Sequence, residues 1–216
     1  MRYEYILFDL DGTLTDPAIG ITNSVMYALK KYGICVSDRK ELYKFIGPPL
    51  LESFEKYYGF SKEEAKTAVE YYREYYRDKG IFENSVYYGL DDLLKVLKDN
   101  DKTLIVATSK PEVFAKQILN HFDISKYFTY IAGSNLDGTR VRKCEVIRYA
   151  LKSCNIIDLS KAIMIGDREY DIIGAKEVGL SSIGVLFGYG SRHELEQAGA
   201  DFIVSAVQDI EEIILG

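Results

Sequence analysis

The chain has 216 residues, 47% of them hydrophobic, enough for one α/β core with a small inserted domain. A net charge of −6 argues against a broad basic surface for nucleic acid, and no apolar run approaches the length of a membrane span. Cys35, Cys144 and Cys154 lack metal-ligand spacing, so free thiols in a reducing, cytoplasmic setting are expected, with a strand rather than a signal peptide near the start.

Ile6, Leu7 and Phe8 read as a buried strand that Gly12 ends. Asp9 and Asp11 then lie at its carboxyl end, the edge at which open α/β sheets bind ligands. Two close carboxylates repel unless a cation or proton lies between them, and magnesium is the natural hard-ion neutraliser. A carboxylate so neutralised, facing a phosphate, is suited to nucleophilic attack through an aspartyl-phosphate.

From Pro17 to about Tyr88 the pattern is helical, with no convincing strand. Ala18–Tyr32 stops at Gly33, Glu52–Tyr58 stops at Gly59, and Ser61-Lys62-Glu63-Glu64 is a capping-box start for a helix to about Asp78. Ile46-Gly47-Pro48-Pro49 between helices is a rigid turn. The tyrosines Tyr71, Tyr72, Tyr75 and Tyr76 recur at helical spacing, which fits packing; a stacking platform for a nucleobase is the sharper alternative. The expected organisation is a core of residues 1–15 and 89–216 with an all-helical insert of residues 16–88.

Beyond Leu90, strand and helix alternate, which implies a parallel sheet covered on both faces. Leu90–Lys98 is helical, Thr103–Ala107 a strand, Pro111 to about His121 a helix, and Tyr127–Ala132 a weaker strand. Lys143–Ser153 is helical, Ala162–Ile165 a strand, and Tyr170–Val178 a helix stopped by Gly179. Ser182–Leu186 and Asp201–Val204 are strands before a last helix. Gly188 and Gly190 mark a flexible loop.

Three of these ends carry polar groups. Thr108 and Ser109 close the second core strand and lead into a helix, where hydroxyls serve either as plain caps or as phosphate ligands. Arg140, Arg142 and Lys143 precede the helix from Lys143, against its dipole. Asp167 follows the strand Ala162–Ile165 directly, and Asp171 lies on the next helical turn. His121 and His193 have no triad-like context.

The string Phe8-Asp9-Leu10-Asp11-Gly12-Thr13-Leu14 resembles the first motif of the haloacid-dehalogenase-like hydrolases, in particular their phosphatase branch. Thr108 resembles that family's second motif, the lysine near 143 its third, and Gly166-Asp167 with Asp171 its fourth. The overall look, helical cap included, is similar to phosphoglycolate phosphatases. The resemblance implies a Rossmann-like doubly wound parallel sheet with an all-helical cap after the first strand. It further implies a magnesium-dependent phosphatase.

In that scheme Asp9 is the nucleophile and Asp11 the general acid and base. Thr108, Ser109, Lys143 and the Gly12/Thr13 backbone hold phosphate. Magnesium lies on the Asp9 carboxylate, the Asp11 backbone carbonyl and Asp167, with Asp171 orienting these groups. Arg142 competes with Lys143 as the phosphate-binding base, because Cys144 stands where relatives often carry proline. Gly47 is a cap contact. Ile21 stands where hexose phosphomutases carry histidine, which argues against a mutase. The expected partner is a small phosphorylated metabolite, phosphoglycolate first and a 5′-nucleotide or pyrophosphate next, turned over by a monomer or homodimer.

Overall fold

A computed structural model describes residues 3–216 and divides the chain into two compact units, one of the chain up to Asp16 with Val86–Gly216, the other of Pro17–Ser85. The first unit is built on a six-stranded sheet of β1 (Tyr5–Phe8), β4 (Thr103–Pro111), β5 (Phe128–Ser134), β6 (Ala162–Gly166), β7 (Ser181–Val185) and β8 (Phe202–Val204). Its spatial order is β5-β4-β1-β6-β7-β8, and every pair is parallel. The helices between strands are α4 (Leu90–Asp99), α5 (Glu112–His121), α6 (Lys143–Ser153), α7 (Glu169–Val178) and α8 (Arg192–Ala198), with α9 (Gln208–Leu215) last. This is a Rossmann-like α/β fold.

The strand sequences explain the layering. Leu7, Ile105 and Met164 point to one face and pack against Val146, Ile147 and Ala150 of α6 and Ala175 of α7. By the two-residue alternation of strands, Ile6, Phe8, Leu104, Val106, Ile163 and Ile165 point to the other face, and they are equally buried. Strands covered on both sides must be apolar throughout, which is why β1, β4 and β6 read as continuous hydrophobic runs.

β4 runs to Pro111 rather than ending at Ala107, because pairing with β5 resumes at Pro111↔Ser134 after a register shift. β2 (Thr15–Asp16) and β3 (Ser85–Val86) form a two-stranded sheet, although no strand is expected in the helical stretch; two residues are too few for a periodic signal. Tyr87 N–H donates to Leu14 O at 3.3 Å, so Val86–Tyr88 belong with the core rather than with the helical unit.

The second unit holds α1 (Ala18–Lys31), α2 (Leu50–Tyr58) and α3 (Lys62–Asp78), plus short 3-10 turns at Arg39–Phe45 and Gly80–Phe82. Ser61 and Glu64 form the expected capping box on α3. Of the four tyrosines on α3, Tyr72 and Tyr76 are buried and stack on each other at 5.3 Å, a packing role. Tyr71 and Tyr75 contact Tyr32 and Tyr27 within the same unit. Among the described residues no helix is long and apolar enough to cross a membrane.

Candidate active site

Parallel strands bring their carboxyl ends to one edge, and Asp9, Thr108, Lys143, Asp167 and Asp171 lie there. Lys143, the first residue of α6, is buried. Its Nζ lies 2.8 Å from Asp9 Oδ1 and 2.7 Å from Asp171 Oδ1, and donates to Ala107 O at 3.1 Å. Burial works against its charge, but the Asp171 and Asp9 carboxylates outweigh that and hold its pKa above the ordinary lysine range. Lys143 is therefore a permanent cation tying β1, β4 and α7 together.

Asp9 follows β1, and its N–H donates to Ile165 O at 2.9 Å, which locks it beside β6. Asp167 follows β6 and is fully buried. Burial first, then repulsion from Asp171 and Asp9, pushes its pKa well above the usual carboxylate range. Asp171 accepts from Arg168 N–H through Oδ2 at 3.1 Å, capping α7, while Oδ1 faces Lys143. Burial, opposed by Lys143, raises its pKa to about 6.

Asp9, Asp167 and Asp171 present carboxylate oxygens that all lie within 4.8 Å of one another. Asp167 Oδ1 is buried and has no hydrogen-bond partner. Three carboxylates against the single ammonium of Lys143 leave an excess of two negative charges, which a divalent cation matches. An all-oxygen donor set suits magnesium. The residues present thus fit the expected ion, with Asp171 inside the carboxylate cluster rather than behind it.

The Asp11 carboxylate turns elsewhere. Its Oδ2 accepts from Lys110 Nζ in a close, largely buried ion pair. Burial raises its pKa, and Lys110 only partly offsets that. In the turn after β1, Gly12 N–H donates to Thr15 O at 2.8 Å and Thr13 N–H to Leu10 O at 3.3 Å. The two amides expected to hold phosphate are thus engaged within the turn. Thr13 Oγ1 is buried without a partner. Thr108 Oγ1, also buried, accepts from Lys110 N–H at 3.2 Å, which leaves its own proton to donate. Ser109 is half-buried beside it.

Other basic residues go elsewhere. Arg142 is exposed and pairs with Glu177 at 3.2 Å, so of the two competing bases only Lys143 reaches Asp9. Arg140 donates to Gly133 O at 2.8 Å and lies 3.7 Å over the Tyr149 ring. Gly47 belongs to the helical unit, at φ 101°.

Sequence reasoning missed Lys110, whose signal was only its place two residues past Thr108. It read the loop after β7 as flexible and missed its contact with Asp167. Tyr189 N–H donates to Asp167 Oδ2 at 2.8 Å, and the Tyr189 hydroxyl donates to Asp16 Oδ1. A Cβ on Gly190 would stand 1.8 Å from Asp167 O, and one on Gly188 would stand 2.3 Å from Gly12 O. These glycines serve close approach rather than a flexible loop.

An aspartate at a strand end, a buried lysine and a carboxylate cluster able to hold a cation thus lie together at one edge of the parallel sheet. The haloacid dehalogenase-like hydrolase family matches residues 6–185, and the chain belongs to it. A 5′-nucleotidase of Pseudomonas aeruginosa is 50% identical over 195 residues, 90% of this chain and 88% of that protein. Phosphoglycolate phosphatase 1 of the same organism is 26% identical over 213 residues, 95% of this chain and 77% of that protein. The crystal structure of a predicted phosphatase from Clostridium acetobutylicum superposes with a TM-score of 0.96 at 55% identity, covering 100% of this chain and 99% of that one. Within its family the chain is a phosphatase.

Proposed function

We propose that the protein is a magnesium-dependent phosphomonoesterase acting through an aspartyl-phosphate, with a 5′-nucleotide as substrate. The observation that carries the reaction is Lys143 on Asp9 Oδ1 beside the Asp9, Asp167 and Asp171 cluster. Lys143 fixes the Asp9 carboxylate and offsets the repulsion between it and an incoming phosphate. An Asp9 oxygen attacks phosphorus as the bond to the leaving oxygen breaks, and Asp11 gives that oxygen its proton. Asp11 then takes a proton from the water that attacks phosphorus, the bond to Asp9 breaks, and inorganic phosphate leaves. Thr108, Thr13, Ser109 and Lys143 hold the non-reacting oxygens. Bound at Asp9 and Asp167 with Asp171, magnesium supplies further charge stabilisation of the phosphoryl group.

The nucleotide assignment is supported by the 50% identity to a 5′-nucleotidase, against 26% for a phosphoglycolate phosphatase. The helical unit, with Gly47 in its interhelical turn, is the element we assign to choosing the leaving group.

Phosphate release is to be measured from 5′-nucleotides, phosphoglycolate, sugar phosphates and pyrophosphate, with and without magnesium, for the native enzyme and Asp9→Asn. Magnesium-dependent release that disappears in the variant, with nucleotides ranking first in kcat/KM, is expected. Release that survives in Asp9→Asn would overturn the mechanism; phosphoglycolate ranking first would overturn the substrate.

A further inference from the structure

Tyr189 makes two bonds that no part of the chemistry above uses. Its backbone N–H holds Asp167 Oδ2 at 2.8 Å, which leaves Oδ1, buried and unpartnered, toward the carboxylate cluster. Its hydroxyl donates to Asp16 Oδ1, at the residue where the chain leaves the core unit for the helical one. The two ends of one residue therefore join the most buried carboxylate of the site to the exit of the β1 segment.

The neighbouring residues show that this contact is built. Gly188 and Gly190 flank Tyr189, and at both positions a Cβ would fall inside Asp167 or Gly12 atoms. Only a backbone without side chains on either side of Tyr189 brings its amide this close. Phe187 adds one contact, edge-on to Tyr87 at 5.0 Å.

We propose that Tyr189 is a positioning residue for the cation site. Its hydroxyl, anchored on Asp16, pins the Phe187–Gly190 loop so that its amide sets the rotamer of Asp167. The inference rests on the cation reading of the Asp9, Asp167 and Asp171 cluster. Hydrogen bonds that orient ligating carboxylates affect metal affinity by about ten- to a hundredfold.

The test is magnesium binding without substrate, by titration calorimetry, on the full chain. Tyr189→Phe keeps the ring and the amide and removes only the anchor. It is expected to weaken magnesium binding by about tenfold. The activity deficit should shrink as magnesium is raised, a signature that general loss of structure would not give. Asp16→Ala should match it, the double variant should add no further loss, and Asp16→Asn, which keeps an acceptor, should restore most of the affinity. Native affinity in Tyr189→Phe would overturn the positioning role while leaving the cation site intact. Absence of magnesium binding in the native protein would overturn the cation reading and this inference together.

Discussion

Replacing Lys143 with methionine removes an ammonium that touches both Asp9 and Asp171. The lysine side chain is 4% exposed and its partners are 9% and 1% exposed, so solvent does not substitute for it. Breaking a buried ion pair from one side costs about 3–5 kcal/mol, since the remaining charge stays desolvated. For a chain of this size each kcal/mol moves the midpoint by about 2–4 °C, so a fall of roughly 6–20 °C is expected. The assay is thermal unfolding with chelator present, at about pH 7.5 and about pH 5. Asp171 has a folded-state pKa raised to about 6, above its ordinary value, so its charged form disfavours the folded state. That penalty is complete above the folded pKa and is lifted as pH falls through it. Without Lys143, which pulls Asp171 down, the folded pKa rises further and the relief starts at higher pH. The deficit of the variant should therefore be largest at about pH 7.5 and shrink at about pH 5. An unchanged midpoint at the higher pH, or a deficit independent of pH, would refute the view that Lys143 is the counter-charge of this cluster.

Magnesium at a hundred times its dissociation constant should stabilise the native protein by about 2.7 kcal/mol, read as a midpoint roughly 5–11 °C higher that chelator reverses. Binding should also release protons, because Asp167 and Asp171 both hold theirs above the usual carboxylate range. Affinity should then rise with pH through about 6, and calorimetry in buffers of different ionisation enthalpy should show the proton release.

Much of the site could be read from the chain because parallel strands advertise their ends. Asp9 and Asp167 each follow an apolar run whose core residues the structure buries, so the runs themselves placed both aspartates at strand ends, while their role came from the family resemblance. Lys143 was legible as the base opening a helix, but the choice over Arg142 was not. Adjacent residues on a helix point in directions about a quarter-turn apart or more, and only packing shows which faces the sheet. Lys110 was hidden because its partner Asp11 is 99 residues away in sequence. The loop at Gly188 and Gly190 was read as flexible, since glycine signals both freedom and close approach, and the sequence does not distinguish them. β2 and β3 are too short for any pattern to emerge.

The strand order has a consequence for how the protein is made. β1 is made before the other strands of its sheet yet ends in the middle, where Tyr5 pairs with Thr103 on one side and Ala162 on the other. Until Thr103–Pro111 is made the nascent chain therefore carries an apolar ribbon with both edges open, and one edge stays open until Ala162–Gly166 follows, a form prone to adhesion. The acidic cluster meanwhile lacks Lys143, then Asp167, and last of all the Tyr189 amide. Assembly of the site is thus a late event in translation, and truncated products inherit the exposed ribbon without the chemistry.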